Sequence, residues 1–217
     1  MIKNKKQIIF NRMPLTNNFR NSITSNKRFF RPSIEVDVND GYFFLTKNCS
    51  FKKLKPKFNW LKCYEPESHL DDVVDNLIKN KIIKKNQKLC FLTFKDYTLS
   101  NRFKKKGFKK IKLIDPVIDL RIKNKNFLTE TLQYHFQKGY LNKKKHINKY
   151  NFLFARHIFE HVSDLSLFIE NAMNLIVSNG FLYLEVPDCT RAIKTGDSTL
   201  YWEEHNFYFT YKSFKRV

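Results

Sequence analysis

The chain has 217 residues, of which 42% are hydrophobic, including 22 Phe and 10 Tyr; its formal net charge is +21, from 41 Lys and Arg against 20 Asp and Glu. That apolar content supports a packed core and excludes wholesale disorder, and no apolar run approaches the roughly 20 residues that span a bilayer. The charged start, Met1 to Lys6, has no long apolar segment behind it, so no signal peptide is read and a cytoplasmic protein is expected.

Residues 1–65 lack a helical period. Turn residues (Asn17-Asn18, Asn39-Asp40-Gly41) separate short aromatic and β-branched runs such as Tyr42-Phe43-Phe44-Leu45. They read as a small, irregular, β-rich module. At Pro66 the pattern changes, and residues 66–217 read as a second domain. Ser68, with Asp71 three positions later, has the form of a capping box. Leu70, Val73, Val74, Leu77 and Ile78 follow at helical spacing, so a helix ending near Asn80 is expected.

Strand and helix then alternate. Residues 88–94 form a nearly continuous apolar run that suits a strand buried on both faces. Residues 99–106 read as a helix stopped by Gly107, and residues 109–114 as a strand ended by Asp115-Pro116. Residues 117–149 are weakly patterned, with a short helix and strand expected around Phe127–Phe136. Residues 150–154 are a further strand. Residues 164–178 place Leu165, Phe168, Ala172, Leu175 and Ile176 on one helical face, with Ser163 as N-cap and Gly180 just beyond the end. A last strand is expected over 181–186. This alternation implies an α/β fold, a doubly wound, mostly parallel sheet.

Four cysteines, Cys49, Cys63, Cys90 and Cys189, form no Cys-x-x-Cys pair, so free thiols are expected rather than disulfides or a closed zinc site. The basic residues are scattered and mixed with Asn. Nucleic acid is not the expected partner, although such an excess of charge favours phosphates in general. An anionic small substrate gains from the same field.

Chemistry concentrates near the C-terminus. Tyr201 to Phe209 holds Glu203, Glu204, His205 and Tyr208 among aromatic residues, shortly after an expected strand that ends at Asp188. In open α/β sheets, ligands collect beyond the C-terminal strand ends. His205 is the expected general base, with Glu204 or Glu203 orienting its ring, and Tyr208 a hydrogen-bond donor to a developing oxyanion. The alternative is that Trp202, Phe207 and Phe209 are a core edge and His205 is structural. Asp115, or else Asp119, stands where a carboxylate accepts ribose hydroxyls. Glu160 and His161 read as structural, with catalysis the lesser alternative.

Arg156-His157-Ile158-Phe159-Glu160-His161-Val162, then Asn179 to Asp188, then Glu204-His205-Asn206-Phe207-Tyr208-Phe209, resemble in order and spacing the class I S-adenosylmethionine-dependent methyltransferases. Within them, the chain looks like the C-methyltransferases of nucleotide-activated deoxysugars. Met13 to Phe19 and Glu65 to Asp71 resemble earlier parts of the same pattern. The resemblance implies S-adenosylmethionine as cofactor, a Rossmann-like core, and an anionic nucleotide-linked keto-sugar as acceptor. It places Thr93, Lys95, Asp115, Arg156 and His157 at the cofactor.

Three departures from that pattern are visible. The stretch Leu92 to Thr98, where the family carries a glycine loop, has no glycine. Of the family's zinc cysteines only Cys49 has a counterpart, so no metal is expected. The chain stops at Val217, short of the expected final strands. A degenerate, non-catalytic relative or a fragment is therefore the first alternative, and a basic nucleic-acid-binding or RNA-modifying protein the second.

Overall fold

The computed structural model describes residues 7–16, 28–54, 65–123, 129–141 and 144–217. The chain divides into two compact units. The first comprises Met1–Lys62, Glu160–Ser163 and Val186–Val217. The second comprises Cys63–Phe159 and Asp164–Glu185.

In the first unit, β1 (Ile8–Ile9), β4 (Ser33–Val36), β5 (Phe43–Leu45) and β10 (Phe207–Tyr208) form a four-stranded antiparallel sheet in the order β1-β4-β5-β10. A separate ribbon pairs β2 (Met13–Pro14) with β3 (Phe29–Phe30), and a short helix, α1 (Phe51–Leu54), follows β5. Short aromatic and β-branched segments suit such pleated, half-covered strands. The β4–β5 turn is set by Asp37, whose Oδ1 accepts the amides of Asn39 at 2.9 Å and Asp40 at 2.8 Å. Gly41 closes that turn at φ +76°, a region glycine enters without strain. The Asn17-Asn18 turn lies outside the described residues. β10 sets Phe207 opposite Phe44 and Tyr208 opposite Phe43, so the C-terminal motif is part of this sheet. Ile34, Leu45, Cys189, Tyr201 and Tyr208 form its core.

The second unit is built on β6 (Leu89–Phe91), β7 (Ile111–Leu113), β8 (Tyr150–Arg156) and β9 (Ile176–Glu185), in the order β7-β6-β8-β9 with every pair parallel. The α/β expectation holds at this level. β6 is buried along its whole length, as its unbroken apolar run requires. Helix α2 (Leu70–Lys79) buries Leu70 and Val74 and ends at Asn80 as expected. Its N-cap, however, is His69 in helical conformation with no side-chain cap bond, not Ser68. The Leu70 amide instead reaches the Glu67 carbonyl at 3.1 Å, so a backbone turn replaces the side-chain cap. Helix α3 (Tyr97–Lys105) starts two residues early and stops at Gly107, φ +89°. Helix α4 (Thr129–Gln137) occupies the weakly patterned stretch, where no strand forms among the described residues.

Helix α5 (Leu165–Met173) is shorter than expected. Asp164, not Ser163, is the N-cap, accepting the Leu167 amide at 2.9 Å. The helix does not continue to Ser178, because the chain is recruited into strand pairing. The amides of Asn148 and Lys149 donate to the carbonyls of Asn174 and Leu175, each at 3.0 Å. β9 thus begins at Ile176 and includes Gly180, which is not a helix stop. Half of this core is Phe: Phe91, Phe103, Phe108, Phe152 and Phe154 pack with Leu70, Val74, Ile83, Leu89 and Leu99.

Candidate functional site

In the second unit the chemistry lies at the C-terminal ends of β6 and β8. After β6 the chain enters a tight 3-10 turn, Phe94–Asp96, capped by Thr93. The Asp96 carboxylate accepts the Thr93 amide and hydroxyl, both at 2.9 Å, and its other oxygen accepts the Arg156 amide at 3.2 Å. Asp96 is fully buried, and burial pushes its carboxyl up to about 7 despite the Thr93 hydrogen bonds and the Arg156 charge.

Arg156 is also fully buried. Its guanidinium grips Glu185 in a fork, Nε to Oε2 at 2.9 Å and Nη2 to Oε1 at 3.1 Å, and donates to the carbonyls of Lys95 and Pro66. Glu185 Oε1 also meets His157 Nε2 at 3.1 Å and His69 Nε2 at 3.2 Å, while Tyr183 donates to Oε2 at 3.1 Å. Burial works against the Glu185 charge. Hydrogen bonds from His157 and Arg156 outweigh it and hold the carboxyl well below the usual range. Lys95 Nζ reaches Glu65 at 2.7 Å and the His157 carbonyl at 3.2 Å. His157 has φ +48°, unusual for a side-chain-bearing residue. Thr93, Lys95, Arg156 and His157, read from the sequence as cofactor residues, therefore come together. Arg156 and His157 meet at a hub, Glu185, that sequence reasoning missed; Thr93 is tied to Arg156 through Asp96, and Lys95 through its own carbonyl.

Asp115 and Asp119 belong to another network. Asp115 Oδ1 accepts the amides of Val117 and Ile118, both at 2.8 Å, and so shapes its own turn. Asp119 is buried, with Lys112 and Lys145 each at 2.6 Å and His146 at 3.2 Å. Burial alone would raise its carboxyl, but hydrogen bonds from Lys112, Lys145 and the Asp115 amide hold it well below the usual range. Neither side chain joins the Arg156–Glu185 group by any recorded bond.

In the first unit, the C-terminal motif folds into a buried acid–base cluster. His161 Nδ1 lies 2.8 Å from the Glu204 carbonyl. Its ring meets that of His205 edge-on, centroids 4.6 Å apart, and His205 stacks near Trp202 at 5.9 Å. Glu160 Oε1 stands 3.9 Å from His161 Nε2. Asn206 staples the arrangement: its Nδ2 donates to the carbonyls of His161 and Val162, both at 2.9 Å, and its amide donates to the Glu160 carbonyl at 2.8 Å. Glu160 and His161 are buried and His205 is half-buried.

The other residues of the motif have different partners. Tyr208 is fully buried; its hydroxyl donates to the Trp202 carbonyl at 2.8 Å and accepts the Trp202 amide at 3.0 Å, and burial pushes the phenol up. Glu203 accepts the Thr16 amide and, at 3.2 Å, the Thr16 hydroxyl. His205 is therefore in the cluster and Glu204 joins it through its backbone carbonyl, on His161 rather than His205, while Tyr208 and Glu203 hold the loop that carries it. Glu160 and His161, read as structural, lie at its centre. Their signal was present in the sequence as an adjacent Glu-His pair, but the distance to His205 is a tertiary fact.

No family model matches the chain, and no curated protein matches it. Of the cysteines, Cys49, Cys90 and Cys189 are free thiols; Cys63 lies outside the described residues. Among the described residues, no helix is long and apolar enough to cross a membrane.

Proposed function

We propose that the chain is an S-adenosylmethionine-dependent methyltransferase acting on carbon in a nucleotide-linked keto-sugar or a related small anion. The observation that carries this reading is the parallel sheet order β7-β6-β8-β9. Successive connections run outward in opposite directions from β6 and β8, so a topological switch point falls between them. A doubly wound, Rossmann-like core places its ligand there. Thr93, Lys95, Arg156 and His157 stand at those two strand ends and are the donor-binding candidates.

Carbon methylation next to a ketone needs a base for the acceptor's proton and a partner for the enolate oxygen. His205, an imidazole held beside His161 and Glu160, supplies the first. The second falls to His161 when its ring is protonated: Nδ1–H stays on the Glu204 carbonyl and Nε2–H is left to donate to the enolate oxygen. The transfer itself is a displacement at the sulfonium methyl, whose rate comes mainly from holding donor and acceptor carbon in line. Methyl transfer from labelled S-adenosylmethionine to nucleotide keto-sugars tests the reading. His205→Ala is expected to lower turnover by about 10²–10⁴-fold, the usual weight of a general base, while leaving donor binding intact. Unchanged turnover would reject His205 as the base.

A second reading, a relative that has kept the fold without the reaction, draws on a specific observation. The side chains at the β6 and β8 ends are engaged with one another around Glu185, and a 3-10 turn stands in place of a glycine loop. Donor binding requires that network to open.

A further inference from the structure

We propose that Glu160, His161 and His205 form a binding site for one divalent transition-metal ion, of which zinc is the best match. One ligand atom from each residue, a carboxylate oxygen or a ring nitrogen, lies within 4.8 Å of the other two. Two imidazoles and a carboxylate suit zinc and its first-row neighbours, whereas magnesium and calcium favour all-oxygen sets.

Three features go beyond proximity. First, the His161 tautomer is fixed. A carbonyl only accepts, so the 2.8 Å contact with the Glu204 carbonyl requires the hydrogen on Nδ1, and the neutral ring then carries its lone pair on Nε2. This backbone-oriented imidazole is the usual support of a metal-bound histidine. Second, His161 Nε2 and Glu160 Oε1 are 3.9 Å apart, too far for a hydrogen bond. Ligands about 2.1 Å from a tetrahedral ion are separated by about 3.4 Å. The pair stands about 0.5 Å beyond that spacing, and the three ligand atoms, all within 4.8 Å of one another, close on an ion by shifts of up to about 1.4 Å. Third, the two ligand segments are stapled by Asn206, which bonds the carbonyls of Glu160, His161 and Val162. The geometry is thus held by hydrogen bonds from the Asn206 side chain and amide to backbone carbonyls.

Three protein ligands leave at least one coordination position open, the pattern of catalytic rather than structural zinc. The half-buried His205 is the exposed member of the trio. A ring nitrogen bound to an ion no longer takes a proton. With the ion bound, His205 would be a ligand, and the base role proposed above would belong to the metal-free protein; the ion would supply Lewis-acid polarisation of an acceptor oxygen or a bound water of lowered proton affinity. The site does not depend on methyl transfer.

The test is calorimetric titration of the full chain with zinc, together with the visible absorption of the cobalt-loaded protein. Expected are one ion per chain, micromolar or tighter, and the intense d–d bands of a four- or five-coordinate site. Glu160→Gln and His205→Ala are each expected to weaken binding at least 100-fold, more than the roughly 10–100-fold that loss of an outer partner costs. His135→Gln, on α4, leaves binding unchanged. Should Glu160→Gln fail to fold, the half-exposed His205→Ala carries the comparison. No stoichiometric zinc binding, or binding by His205→Ala equal to that of the parent chain, would overturn the site. Zinc binding without S-adenosylhomocysteine binding would uphold the site and reject the methyltransferase reading; the reverse would do the opposite.

Discussion

Arg156 and Glu185 form the central charge pair of the second unit, and the cost of breaking it is set by what remains behind. With Arg156 replaced by Met, a mostly buried carboxylate keeps only His157, His69 and Tyr183 as partners. Loss of one member of a buried pair typically costs about 3–5 kcal/mol. Arg156→Met should show that loss in urea unfolding, and a cost below about 1 kcal/mol would mean that the pair is not the anchor described. The two buried aspartates make opposite contributions to pH dependence. The folded Asp96 carboxyl lies near 7, above its ordinary 3.8, so the folded state binds this proton more tightly. Its contribution is full below about pH 4 and is lost as pH rises through about 7. Asp119 is held below its ordinary value, so its contribution is present above about pH 4 and is lost as pH falls. Asp96→Asn should therefore flatten the decline in stability between about pH 4 and 7. Asp119→Asn should cost most at neutral pH, and its deficit should shrink in acid. Urea midpoints across pH check both signs, and reversed trends would refute the assignments.

At the scale of elements, the apolar periods were legible and the boundaries were not. The 70–79 helix and the buried strand at 89–91 follow directly from spacing. The end of α5 does not, because Leu175 and Ile176 fit the helical face as well as they fit a strand. Pairing with the start of β8 decides between them. Gly180 shows the same limit. It reads as a helix stop, yet it sits within β9 where the register slips, with Tyr150 opposite Ile176 but Phe152 opposite Phe181. A Cβ there would stand 2.3 Å from Ile176 Cγ2 and 2.8 Å from the Asn151 carbonyl. The backbone contact cannot rotate away, so Gly180→Ala is expected to destabilise by about 1–3 kcal/mol, as overpacking does. Thermal unfolding measures it, and an unchanged midpoint would contradict the close approach. Of the candidate site, residue types were visible in the sequence: Arg-His after one strand, Glu-His-x-x-Tyr-Phe in the last motif. Partners were not. Nothing local marks Glu185 as the hub for Arg156, a pairing made across the sheet, and the clasp of Tyr208 on Trp202 depends on how their shared loop turns back on itself.

At the scale of the whole molecule, the chain divides its chemistry. The parallel sheet of the second unit carries the Arg156–Glu185 group, and the first unit carries Glu160, His161 and His205. The net charge of +21 acts on both. It favours capture of an anionic acceptor and is screened over about 8–10 Å at ordinary ionic strength. Added salt should therefore raise KM for a nucleotide-linked acceptor while leaving turnover at saturation little changed; an unaffected KM would argue against an anionic substrate. The donor site is the more exposed claim, because its candidate residues are engaged with one another. The most direct measurement is a calorimetric titration of the full chain with S-adenosylhomocysteine. Methyl transfer predicts one site of micromolar affinity, weakened in variants of Lys95 or His157. No detectable binding would contradict it and would leave a parallel α/β sheet without the reaction.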